Sequence, residues 1–192
     1  SDAAEPRGGP IDSSRARWLL LAVVLAGAAV RLLALLQLSE LPWWTVHDVD
    51  SLVYHRVAQA IAAGEPLGPE ALRMSPGYFR FVGAIYALLG DGPWGLRLVQ
   101  SALGLISIVL VWDTARRLLR DARWALLPAT LAAFYGPFVF YEGVLLASTL
   151  AVFLVSLLAW TVVRIHDTDP RRLAPWALVG LIWGLTTAVR PN

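Results

Sequence analysis

Five stretches of the chain carry apolar residues almost without interruption: Trp18–Leu38, Trp94–Trp112, Trp124–Tyr141, Leu145–Val163 and Leu173–Val189. A helix needs roughly 20 such residues to cross a hydrocarbon core of about 30 Å, so the pattern predicts an all-α polytopic membrane protein with about five spans. Tryptophans mark the run ends at Trp18, Trp94, Trp112, Trp124, Trp160 and Trp176, where an interfacial belt would place them. No segment alternates as a strand would, and no internal repeat is visible.

Between the first two runs lies a long loop, residues 39–92, with two apolar segments too short to span. On a helical wheel, Ser51–Ala63 gathers Val53, Tyr54, Val57, Ala60 and Ile61 on one side and His55, Arg56 and Gln59 on the other. Gly64 to Pro69 ends it. After the turn Ser75-Pro76-Gly77, a second amphipathic segment, Tyr78–Leu89, runs to Gly90-Asp91-Gly92-Pro93. Both segments are expected to lie as helices on the membrane surface.

Composition agrees with the pattern. Of 192 residues, 57% are hydrophobic and 16% charged, and the mean hydropathy is +0.60. A soluble globule of this size needs more polar surface. The first run is too long for a signal-peptide core and lacks a small-residue cleavage site, so it is expected to remain as an anchor. With no cysteine there is no disulfide and no thiolate ligand or nucleophile. Net charge, +2, says little about partners, but its distribution orients the chain. Arg15 and Arg17 precede the first run; Arg116, Arg117, Arg120 and Arg123 separate the second and third; Arg164, Arg171 and Arg172 separate the fourth and fifth. Basic loops stay in the cytoplasm, so residues 1–17 are expected to form a flexible cytoplasmic tail, 18–192 the membrane domain and 39–92 its first extracytoplasmic loop.

That topology brings acids and bases to one face. Asp48 and Asp50 lie in the outer loop, Glu142 and Arg190 at outer span ends, and Arg31 in the outer half of the first run. Each has a plain structural reading: Asp50 can cap a helix starting at Ser51, Arg31 can snorkel, and Glu142 and Arg190 can be interfacial charges. Together they point to a site, because charge at membrane depth is costly unless paired or used. His47 and His55 beside the two aspartates fit no strong metal-ligand spacing, so no cofactor is expected, with a divalent metal as the minor alternative. Gly90-Asp91-Gly92-Pro93-Trp94-Gly95 matches a dinucleotide fingerprint only as a string, without its strand and helix. Gly180 and Gly184 suit a close helix crossing.

Several stretches then carry a resemblance. A first span, Asp50 with Tyr54 four residues on, Met74-Ser75-Pro76-Gly77-Tyr78, Ile85 to Gly90 and Arg97-Leu98-Val99-Gln100 occur in that order. Tyr135-Gly136-Pro137, Tyr141-Glu142 and Gly184 to Asn192 follow. The order resembles the C-type (GT-C) membrane glycosyltransferases, in particular the family-39-like branch of protein O-mannosyltransferases and the lipid A aminoarabinose transferase. The resemblance implies the N-terminal part of that fold in an inner or plasma membrane. It also implies an enzyme that moves a sugar, with inversion, from a polyprenyl-phosphate carrier to an acceptor hydroxyl outside the cytoplasm. Its implied partners are the lipid-linked donor and membrane lipid, with no nucleic acid. By the same likeness Asp50, or Asp48, is the base; Arg190, with Arg31 or Arg97, holds the donor phosphate; and Glu142, Tyr54 and Tyr78 contact the acceptor or sugar. The chain departs from the pattern where an Asp-Glu pair is usual and Asp50-Ser51 stands. It ends at Asn192, where relatives continue, so it is expected to be part of a longer enzyme. The rival readings are a transporter or flippase subunit, with these charges lining a path, and a non-catalytic envelope-assembly protein.

Overall fold

The structure is a computed structural model that describes residues 13–45, 49–119, 122–167 and 173–190. Among the described residues the regular elements are all helical: α1 (Ser13–Ser39), a 3-10 turn (Pro42–Trp44), α2 (Val49–Ala62), α3 (Pro69–Met74), α4 (Pro76–Leu89), α5 (Pro93–Leu119), α6 (Ala122–Phe134), α7 (Gly136–Glu142), α8 (Ser148–Asp167) and α9 (Leu173–Val189). Prolines open α3, α4 and α5, where a missing N–H costs nothing.

Among the described residues three helices are long and apolar enough to cross a membrane: Ser14–Ser39, Pro93–Leu119 and Ser148–His166. The third expected span, Trp124–Tyr141, is not one rod. It is α6 followed by α7, bent by 48°, and makes a fourth crossing only if the bent pair is taken together. The break falls at Tyr135, extended at ψ 106°, and Pro137, two residues on, has no N–H to give the Ala133 carbonyl. The fifth expected span corresponds to α9, which is apolar but has 17 residues. At 1.5 Å per residue it reaches about 26 Å, short of a typical hydrocarbon core.

α5 packs against α1, α4, α6, α7 and α8. α1 and α6 meet through small side chains: Ala16, Ala125, Ala129 and Ala133 are fully buried, and a Cβ added to Gly27 would lie 3.4 Å from that of Ala133. Between membrane helices small residues allow close backbone approach and hence dispersion contact.

The packing around α4 corrects an expectation. α4 is not a surface helix: Tyr78, Phe79, Val82, Ile85 and Tyr86 are buried, with α2 and α9 packed on it. Its apolar face is too wide for one surface and needs both covers. Glycines make the covers tight. A Cβ on Gly83 would come within 2.6 Å of Ile61 Cγ2, and one on Gly77 within 2.9 Å of the Ala188 backbone. α2 turns Tyr54 and Ala58 inward and leaves Val53 exposed, so its buried stripe is rotated from the expected one.

At the far end of α5, Asp113 accepts hydrogen bonds from Arg116 and Arg117 at helical spacing and one from the Trp160 indole of α8 at 2.9 Å. Arg164 Nε lies 3.7 Å away. This carboxylate carries α5 past its apolar run and fastens it to α8.

Candidate active site at the mouth of the helix bundle

The break between α6 and α7 leaves backbone carbonyls without intrahelical donors, and in a membrane interior such groups need partners. Buried polar side chains supply them. Arg31 of α1, 2% exposed, donates from Nη1 to Ala133 O at 2.9 Å and to Gly27 O at 3.2 Å. Gln100 of α5, fully buried, donates from Nε2 to Glu142 O at 2.8 Å and Val144 O at 3.0 Å. Arg97, one turn earlier, donates to Gly143 O at 2.7 Å, Pro93 O at 2.7 Å and Trp44 O at 3.1 Å, and its guanidinium stacks 4.0 Å over the Trp44 ring.

The bend also swings Glu142, the last residue of α7, into the bundle. Its carboxylate meets Arg31: Nη2 donates to Oε1 at 2.9 Å, and Nε lies 2.7 Å from Oε2 without the alignment of a hydrogen bond. The two side chains are 2% and 3% exposed. Room for the carboxylate comes from Gly104 on α5, where an added Cβ would fall onto it. Positions 97, 100 and 104 follow helical spacing, so one face of α5 shapes the whole turn after α7.

The Arg31–Glu142 pair forms part of the wall of a cavity of about 680 Å³. Arg190, just after α9, and Ser148 and Thr149, at the start of α8, line it as well. From there the cavity follows α8 through Val152 to Val155 and Ser156, about 12 Å along the axis, and runs along α5 as far as Val111. One end is charged and polar, and most of the wall is apolar.

The expected site residues are distributed unevenly around this cavity. Arg31, Glu142 and Arg190 are brought together, while Arg97 is turned to carbonyls beside a separate cavity of about 170 Å³ that also touches His55 and Asp91. Burial pushes the His55 imidazole below its ordinary range, with Asp91 partly offsetting the shift. A hydrogen bond from Gln59 holds Asp91 below the usual carboxylate range. Tyr78 is fully buried and donates to Gln100 Oε1 at 2.9 Å, and Tyr54 is 5% exposed and donates to Ser75 Oγ at 3.1 Å. Both brace the core and neither lines the larger cavity. Asp48 and His47 lie outside the described residues.

Asp50 is exposed in the first turn of α2, after Val49 at φ +46°, a left-handed conformation unusual for a β-branched residue. A short series of contacts links its end of α2 to the cavity mouth. Tyr54, one turn on, bonds Ser75; Gly77 follows and packs on the backbone of Ala188, two residues before Arg190. Gln100 was not singled out for any role in the sequence. A buried amide in an otherwise apolar span, three residues after a buried arginine, is the signal that finds it.

Fold and site together define an integral membrane protein with an amphipathic cavity at one end of its helix bundle. Residues 73–192 match the sequence model of the dolichyl-phosphate-mannose-protein mannosyltransferase family, and the chain belongs to that family, within the C-type membrane glycosyltransferases. The matched stretch contains Gln100, Glu142 and Arg190 and leaves Arg31, Asp50 and Tyr54 outside it. No curated protein and no solved structure matches the chain.

Proposed function

We propose that the protein transfers a sugar from a polyprenyl-phosphate carrier to an acceptor hydroxyl at the extracytoplasmic membrane surface, in one inverting displacement. The observation that carries this reading is the cavity itself, which joins Arg190 at its mouth to an apolar wall along α5 and α8. A phosphorylated lipid has that polarity: an anionic head and an apolar tail. The acceptor hydroxyl gives its proton to a carboxylate, Asp50 in the first instance and Asp48 as the alternative. The acceptor oxygen forms a bond to the anomeric carbon as the bond from that carbon to the phosphate oxygen breaks. The electron pair leaves on polyprenyl phosphate, and a guanidinium at that oxygen stabilises the growing charge more than the ground state. Arg190 fits the role because, among the described residues, its guanidinium makes no hydrogen bond or ion pair. Glu142, locked to Arg31, serves the site by holding α7 in place.

Arg190→Ala is expected to weaken binding of the lipid-linked sugar by about 10- to 100-fold, the worth of a charge-assisted hydrogen bond. Titration of purified protein with the donor measures it, and unchanged affinity would remove Arg190 from the site. Topology has its own test, made clean by the absence of cysteine. Leu88, near the end of α4, and Leu118, in the last turn of α5, are both exposed and lie at opposite ends of α5. In intact cells a membrane-impermeant thiol reagent is expected to label Leu88→Cys and to spare Leu118→Cys. The reverse pattern would put the site in the cytoplasm.

A further inference from the structure

The cations near the cavity are fewer than its sequence suggests. Arg31 is neutralised by Glu142 and holds two carbonyls besides. Arg97 does not line the cavity and is committed to three carbonyls. Arg190 therefore meets a phosphate from one side only, and the question is what stands on the other.

The same cavity is lined by Ser148 and Thr149, the first two residues of the 20-residue helix α8. The first intrahelical bond runs from Ala151 N to Ala147 O, so the amides of Ser148, Thr149 and Leu150 have no intrahelical acceptor. The position that usually supplies a side-chain cap is Ala147, which has no side-chain oxygen. A second observation is independent of the helix end. Thr149 is 7% exposed, and its Oγ1 is shielded with no hydrogen-bond partner. Elsewhere in the chain Ser107, Ser156, Thr161 and Thr186 satisfy their hydroxyls on the carbonyl four residues back, at 2.7–2.8 Å. Thr149 lacks that remedy, because the residue four back, Leu145, precedes the helix. Ser101 and Thr114 also have unpartnered hydroxyls, but they lie off the cavity. A buried donor left unmade costs free energy unless a ligand completes it.

We propose that the first turn of α8, through its free amides and the Thr149 hydroxyl, forms the second half of a phosphate cradle facing Arg190. The inference rests on the donor reading above and deepens it. The ligand is the phosphate ester of a polyprenyl lipid, held between a guanidinium and the positive end of a helix dipole.

The test compares binding of a polyprenyl phosphate with that of the same polyprenol lacking phosphate, using purified protein in nanodiscs, with inorganic phosphate as competitor. Wild type is expected to prefer the phosphorylated lipid, and free phosphate to compete only weakly. Thr149→Val, which keeps shape and removes the hydroxyl, is expected to cut that preference about tenfold, and Thr149→Ser to restore it within about twofold. Ser148→Pro, at a position where helices accept proline, deletes one amide donor and is expected to act in the same direction. Full phosphate preference in both Thr149→Val and Ser148→Pro overturns the cradle and leaves the donor reading standing. Wild type that binds alcohol and phosphate alike overturns both. Free phosphate competing as strongly as the lipid would show an inorganic anion site and overturn the lipid assignment.

Discussion

Asp50→Asn is expected to lower the rate of sugar transfer by about 10²- to 10⁴-fold, the usual worth of a positioned general base, while donor affinity stays within about twofold. The substitution keeps the side chain's size and removes only its ability to take a proton. Asp50 is exposed and makes no ion pair among the described residues, so the fold has little to lose. The loss should therefore fall on kcat and leave the KM for the lipid donor nearly unchanged, as for an interaction made only in the transition state. Near-normal turnover would remove Asp50 as the base. Asp48→Asn is the parallel measurement, and the larger loss of the two names the carboxylate.

The second large effect is on stability. Arg31→Met should destabilise the protein by about 3–5 kcal/mol, because it leaves the Glu142 carboxylate buried without its counter-charge and Ala133 O without its donor. Adding Glu142→Gln to Arg31→Met should recover much of that loss, since an amide can stay buried uncharged. The cycle of two single variants and the double variant, read by thermal unfolding in one detergent, isolates the coupling. A double variant as unstable as the sum of the singles would mean that the pair does not hold α7 against α1 and α5.

The long spans were legible because their signal is local. Trp18–Leu38, Trp94–Trp112 and Leu145–Val163 fall within α1, α5 and α8, apart from the first residues of the last run, which precede α8. α5 and α8 run on beyond the apolar stretch, because Asp113, Arg116 and Arg117 pair along the helix and Arg164 turns toward the same carboxylate. The bend at Pro137 is also written locally, in Tyr135-Gly136-Pro137, yet apolar periodicity on both sides hides it. α4 misled for another reason: amphipathicity shows that one face is buried and does not say whether lipid or protein covers it.

The site divides along the same line. Arg31 and Glu142 stand out as charges that a membrane protein must use, but 111 residues separate them and only the fold makes them partners. That partnership ties Arg31 to Glu142 and to the carbonyl at the break, bonds that its position in the sequence does not foretell. The roles of Tyr54 and Tyr78 turn on burial, which spacing alone does not reveal. Thr149 is informative only once its neighbours are known, since its meaning lies in the bond it lacks.

Asp113 bears on how two neighbouring helices stay side by side. Where that carboxylate gathers Arg116, Arg117 and the Trp160 indole, α5 and α8 are pinned like the two arms of a pair of tweezers at their joined end. Prising the arms apart there would break the Trp160–Asp113 hydrogen bond and draw Arg164 away from the same carboxylate, while the bonds from Arg116 and Arg117 stay within α5. One carboxylate thus acts as a rivet between two rods, and its loss would release α8 from α5 while also stripping the last turns of α5 of their partner.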